Sequence, residues 1–131
     1  TAVIVGAGMI GLLTLQAARA AGASQIIAID VNDKRLEVAR ELGADHGLRG
    51  DQGDVASKVR ELTQGRGADI SYEVVGATPT IKTAIESVRK GGSVTLVGNV
   101  SPTVADGPQW FERLYAGDPE QMKVVVQPQR A

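Results

Sequence analysis

A chain of 131 residues with a formal net charge of −1, 43% hydrophobic and 22% charged residues has the make-up of one ordinary globular domain. The near-neutral balance gives no support to a nucleic-acid or membrane-surface role. Without cysteine there is neither a disulfide nor a thiolate metal site. No apolar run approaches the length of a membrane span and no basic-then-apolar leader is present, so the cytoplasm is the expected compartment. The chain opens at Thr1 in mid-strand with no initiator Met, and so reads as part of something longer.

The β-branched run that ends at Val5 predicts a first strand, and Gly6-Ala7-Gly8-Met9-Ile10-Gly11 leads from it into a helix over residues 10–21. Ile10, Leu13, Ala17, Ala18 and Ala21 are expected on the buried face of that helix, with Gly22 as its stop. Gln25–Asp30 is a second strand. Asn32 then fits an N-cap for a helix that carries Leu36, Ala39 and Leu42 as far as Gly43. A short third strand follows at His46–Leu48. Val55, Val59 and Leu62 mark another helix, stopped by Gly65-Arg66-Gly67. Ala68–Val75 is a fourth strand, and Ile81, Ala84, Ile85 and Val88 form the stripe of a helix that begins near Thr78-Pro79. Gly91-Gly92 then turns the chain into a fifth strand, Ser93–Val97.

Strands alternate with helices through about residue 98. That order calls for an α/β fold: a doubly wound parallel sheet of about five to six strands with helices on both faces. Composition shifts after Val100, where Trp110, Phe111, Tyr115 and four of the five prolines are found. A helix at Asp106–Ala116 and a strand at Lys123–Gln127 are expected there. The domain reading is therefore residues 1–100 for the α/β domain and 101–131 for a C-terminal segment.

The first thirty residues carry the chemistry. Glycines at offsets 0, 2 and 5 open the helix. The first permits a tight strand-to-helix turn, the second lets a pyrophosphate approach the backbone, and the third lets the helix pack closely. The helix N-terminus, with the backbone at Met9 and Ile10, offers free N–H groups and a partial positive charge. Asp30, nineteen residues after Gly11, stands where a carboxylate can accept from the adenosine ribose hydroxyls. Three glycines alone are a weak signal; strand, glycines, helix, strand and terminal acid in register are a strong one. A doubly wound sheet binds at the carboxyl ends of its strands, here Gly6, Asp30, Val75-Gly76 and Gly98-Asn99. The glycines at 76 and 98 suit either a flat ligand or a plain turn.

These residues resemble the cofactor domain of the zinc-dependent medium-chain alcohol and polyol dehydrogenases. The pieces that carry the likeness are Val3 through Gly11, Ile29-Asp30, Lys34-Arg35-Leu36, Ala39, Leu42 through Asp45, Glu73-Val74-Val75-Gly76, and Gly91-Gly92 through Val97-Gly98. The resemblance implies that Gly6, Gly8, Met9, Ile10 and Gly11 hold the pyrophosphate of NAD and that Asp30, with Arg35 nearby, holds the adenosine ribose. It implies that Val75, Gly76, Gly98 and Asn99 flank the nicotinamide. Residues 108–128 resemble the C-terminus of the same family, so the region after Val100 is internally shortened and the usual sixth strand is expected to be missing. Val124-Val125-Val126 is then a candidate to cover the open sheet edge, in this chain or a neighbouring copy.

The expected activity is that of the NAD-binding domain of an alcohol or polyol dehydrogenase, with zinc and the substrate held in the full-length parent. The chain alone is expected to bind NAD without turning over, with no catalytic and no metal-binding residue of its own. A homo-oligomer is possible. Two other classes share the opening motif: a nucleotide-sensing regulatory module and a methyltransferase. His46 reads as structural, Lys82, Arg89 and Lys90 as the solvated face of their helix, and Asp51, Asp54, Glu73 and Glu86 form no acid–base pair by spacing.

Overall fold

The computed structural model describes residues 1–98 and the strand 123–126. Its strands are β1 (Ala2–Val5), β2 (Ile26–Asp30), β3 (His46–Arg49), β4 (Ala68–Glu73), β5 (Val88–Leu96) and β6 (Lys123–Val126). Its helices are α1 (Met9–Ala20), α2 (Asp33–Glu41), α3 (Val55–Leu62) and α4 (Thr78–Ser87). The strands form one parallel sheet in the order β3-β2-β1-β4-β5-β6. The chain winds outward from β1 to β3, then crosses back to build the other half from β4. The switch point therefore lies between β1 and β4.

Alternation along each strand sorts the side chains into two cores. Ala2, Ile4, Ile26 and Ala28 pack with Leu15, Ala18, Leu36 and Ala39 of α1 and α2. Val3, Val5, Ile27 and Ile29 pack with Val55, Val59 and Ala84 of α3 and α4. Both faces of β1 and β2 are covered, which is why these strands read as unbroken apolar runs. Each fully buried Ile or Val there contributes roughly 1.5–3 kcal/mol.

The structure changes the expected phase of α1. Its buried residues are Gly11, Leu15 and Ala18, whereas Ile10 and Leu13 are 46% and 58% exposed, and Ala17 and Ala21 are exposed as well. Gly11 sets the rotation: a Cβ there would be driven into the Gly6 carbonyl oxygen, so this side of the helix must face the strand.

The fifth strand also departs from expectation. Val88 is not on the α4 stripe; it is extended, begins β5 and pairs with Ala68. The next ladder partner is Ser93 with Ile70, so residues 89–92 bulge out within the strand, with Gly91 at φ +73°. Arg89 and Lys90 accordingly leave the helix face assigned to them. Arg89 instead reaches Asp69 Oδ1 at 2.8 Å, while exposed Lys82 stays on α4 near Glu86 at 3.7 Å. The fourth strand ends at Glu73, two residues before the expected Val75.

The sheet does have a sixth strand. Lys123–Val126 pairs parallel with Ser93–Leu96 and covers the β5 edge within the same chain, so the Val124–Val126 candidate fills the open edge in this chain, within the expected five to six strands. The expected helix at Asp106–Ala116 lies outside the described residues.

Candidate functional site

The turn between β1 and α1 is built from its glycines. Gly6 has φ +104°, and a Cβ on it would lie 2.6 Å from Val75 Cγ2 and 2.9 Å from Val74 Cγ2. Its N–H continues the ladder to the Ile29 carbonyl at 2.8 Å. Gly8 is the N-cap of α1, with no side chain to cap the helix, and its missing Cβ would meet nothing within 4 Å. The first helical bond runs from Leu12 N–H to Gly8 C=O at 2.9 Å. The N–H groups of Met9, Ile10 and Gly11 therefore precede the helix ladder, in a setting that favours an anion.

Asp30 closes the other side. It ends β2 on the face shared with α1 and α2, and is only 8% exposed. Its Oδ2 accepts the Ala7 N–H at 2.8 Å, and its Oδ1 accepts the Asn32 N–H at 2.9 Å. The Arg35 guanidinium, on the first turn of α2, is 3.7 Å from Oδ2 and 58% exposed. Asn32 in turn caps α2 by accepting the Arg35 N–H at 3.2 Å. The acid is thus fixed between the glycine turn and the start of α2.

A cleft of about 250 Å³ opens between these parts, lined by Gly6, Gly8, Met9, Ile10, Gly11, Asp30, Arg35, Val74 and Val75. Eight of the eleven residues singled out from the sequence lie on it. Gly76 and Gly98 do not line it; they pack against each other beside it, and a Cβ on Gly98 would collide with the Gly76 N. Asn99 lies outside the described residues. Val74 was not singled out, nor was Val31, which follows Asp30 and is 60% exposed. Val31 offers apolar surface at the Asp30 end, and Val75, 51% exposed, offers it after β4, a feature signalled only by two Val residues at strand ends.

Glu73 is the other residue missed. It is fully buried at the carboxyl end of β4, and its Oε1 accepts from the Val75 N–H, the Gly76 N–H and the Thr80 hydroxyl at 2.9, 2.8 and 2.7 Å. Several other acids are engaged away from the cleft. Asp54 caps α3 through the Ser57 N–H, and Asp51 and Asp33 bind Arg49. His46 pairs with Ile27 at the start of β3, the end of the sheet away from the cleft. Among the described residues no three His, Cys, Asp or Glu side chains converge on a metal position. A zinc ion does not fit the side chains of this part of the chain.

The family model for zinc-binding dehydrogenases matches residues 9–114. L-idonate 5-dehydrogenase of Vitis vinifera is 43% identical over 104 residues, covering 72% of this chain and 27% of its own length. Sorbitol dehydrogenase of Bacillus subtilis is 37% identical over 98 residues, covering 75% of this chain and 28% of its own length. A structure from Sinorhizobium meliloti 1021, named as a zinc-binding dehydrogenase bound to NADP, is 28% identical. It superposes with a TM-score of 0.81 over 97% of this chain and 36% of that one. The chain spans just over a quarter of the length of the curated relatives it matches. With its β1–α1 glycine turn, its acid at the end of β2 and its doubly wound sheet, the chain belongs to the zinc-dependent medium-chain dehydrogenase family and carries the cofactor-binding domain of that family.

Proposed function

We propose that this chain is the NAD-binding domain of a dehydrogenase that oxidises an alcohol or polyol. The observation that carries the reading is the pairing of an open Gly8 with a buried Asp30 across one cleft. NAD, when bound, supplies the hydride acceptor. The N–H groups of Met9, Ile10 and Gly11 would hold the pyrophosphate at the start of α1, where a Cβ on Gly8 would occupy the space. Each Asp30 oxygen already accepts one backbone N–H and retains a further lone pair. Both ribose hydroxyls can therefore be accepted with the bonds of the fold intact. Val31 offers apolar surface for the adenine.

The preference for NAD over NADP rests on charge. A 2′-phosphate would be brought against a carboxylate that the fold holds in place. The alcohol or polyol, and the zinc that would polarise its oxygen as a Lewis acid, belong to the longer parent, for which the cytoplasm is the proposed compartment. This chain supplies binding and orientation, and alone it is proposed not to turn over.

Calorimetric titration against NAD, NADP, ATP and S-adenosylmethionine tests the reading. NAD should bind most tightly, and Gly8→Val should abolish its binding without unfolding the chain. Tighter binding of S-adenosylmethionine, or NAD affinity unchanged in Gly8→Val, would overturn it.

A further inference from the structure

The buried carboxylate at the end of β4 lies behind the cleft wall and holds the backbone of Val75, which lines it. Glu73 is 0% exposed. Its side chain gathers three donors on one oxygen: the N–H groups of Val75 and Gly76 in the loop after β4, and the Thr80 hydroxyl in the first turn of α4. Its main-chain carbonyl gathers two more, the N–H groups of Val97 and Gly98 after β5, at 2.7 and 2.9 Å. One residue thus accepts five hydrogen bonds from three segments.

The two loops it holds are in close contact. Gly76 has φ +85°, and a Cβ on Gly98 would come within 2.8 Å of Glu73 Oε2. That second oxygen is buried with no hydrogen-bond partner among the described residues. A carboxylate so placed carries a desolvation cost that an apolar core residue would avoid. An apolar side chain would keep the main-chain bonds to Val97 and Gly98 but could not hold the Val75 and Gly76 N–H groups. In the observed sheet order, a dinucleotide seated with its pyrophosphate on α1 and its adenosine at β2 runs its other half toward β4 and β5. Those are the two strand ends that Glu73 ties together.

We propose that Glu73 is a positioning residue for the nicotinamide half of the cofactor. Its side chain acts through the backbone at Val75–Gly76, which packs against Gly98, rather than by contact. The inference rests on the cofactor reading above and adds to it a division of labour. Asp30 and the glycine turn secure the ADP half, and Glu73 shapes the seat of the nicotinamide.

The test is calorimetric titration of the full chain with NAD and with ADP-ribose, which lacks the nicotinamide, with circular dichroism to verify folding. Glu73→Ala should lose at least tenfold in affinity for NAD while its affinity for ADP-ribose stays within twofold. Glu73→Gln, which keeps an oxygen for the Val75 and Gly76 N–H groups, should restore NAD affinity to within threefold of the unsubstituted chain. If Glu73→Ala does not fold, Thr80→Val removes one of the three donors to Oε1 and should show the same selectivity at two- to fourfold. Equal losses for both ligands, no loss for NAD, or a Gln variant no better than Ala would overturn the proposal. If the unsubstituted chain binds neither ligand, the cofactor reading itself falls, and this inference with it.

Discussion

Ala7 donates its N–H to Asp30 Oδ2 at 2.8 Å, so the acid expected to face a ribose is also a structural tie for the glycine turn. One carboxylate sets both the shape of the phosphate cradle and the charge at the end of β2. Substitutions at Asp30 will therefore report on two things at once, and the choice of replacement matters.

Discrimination against NADP is expected to depend on the Asp30 charge. At about 4 Å and an effective dielectric near 20, one pair of like unit charges costs about 4 kcal/mol. Solvent and the Arg35 guanidinium at 3.7 Å reduce that, but half of it still exceeds tenfold. Calorimetry should show NAD binding at least tenfold tighter than NADP. Asp30→Asn, which keeps the shape and loses the charge, should narrow the gap to about threefold, on the order of the 1–2 kcal/mol removed. A gap unchanged in Asp30→Asn would assign the discrimination to another residue.

Gly8 and Gly11 should separate function from folding. Gly8 lies at φ −76° and ψ −168°, open to any residue, and its Cβ would enter free space. Gly8→Ala should leave the melting temperature within about 2 °C while weakening NAD binding. Gly11→Ala drives a Cβ into the Gly6 carbonyl, an overpacking cost of about 3 kcal/mol or more, and should lower the melting temperature by about 10 °C or more. Similar melting curves for the two variants would contradict the packing described for α1.

Arg19 is expected to hold the amino-terminal ends of β2 and β3 together. Its guanidinium donates to the carbonyls of Ala23, Ser24 and Gly43 at 2.7, 3.1 and 2.7 Å and to Asp45 Oδ2 at 2.5 Å. Asp45 Oδ2 also accepts the Ile26 N–H at 2.7 Å. Arg19→Ala should cost about 1–2 kcal/mol by urea denaturation, allowing for solvent exposure. Arg19→Lys should recover less than half of that, because the planar fork is lost.

Acid should loosen the chain partly through Asp69. The Arg89 guanidinium at 2.8 Å and the Arg66 guanidinium at 3.0 Å hold this carboxyl below the usual carboxylate range. Because its folded value lies below the unfolded one of about 3.9, its stabilisation is complete above the unfolded value. It is lost as pH falls from there through the lowered folded value. Melting temperatures measured between about pH 5 and pH 2 should fall less steeply for Asp69→Asn than for the unsubstituted chain. Parallel curves would show that Asp69 contributes nothing to acid sensitivity.

Much of this architecture was legible in the residues, and the failures have physical causes. Strand and helix order followed from two apolar runs and helical spacing, and Asp30 from its distance to the glycine turn. The phase of α1 was misread because Met9, Ile10 and Leu13 are apolar yet 75%, 46% and 58% exposed, so hydrophobicity pointed outward. Packing was decided instead by Gly11, which no hydrophobic pattern weighs. The start of β5 was misplaced because Val88 fits both a helical stripe and a strand, and the bulge at Gly91 is a property of pairing with β4. Glu73 escaped because its role is to hold backbone N–H groups brought in by two loops and a helix. The strand expected at Lys123–Gln127 is found at Lys123–Val126, and of the two placements open to it, this chain or a neighbouring copy, the structure has the first, beside β5.

The most direct measurement is a two-dimensional amide NMR titration of the labelled chain with NAD. Shifts are expected at Ala7, Met9, Ile10 and Gly11, at Asp30 and Asn32, and at Val75. His46 and Leu48 in β3, and Val55 and Val59 in α3, should remain still. Shifts centred on β3 and α3, or none at saturating NAD, would contradict a dinucleotide site at the β1–α1 turn.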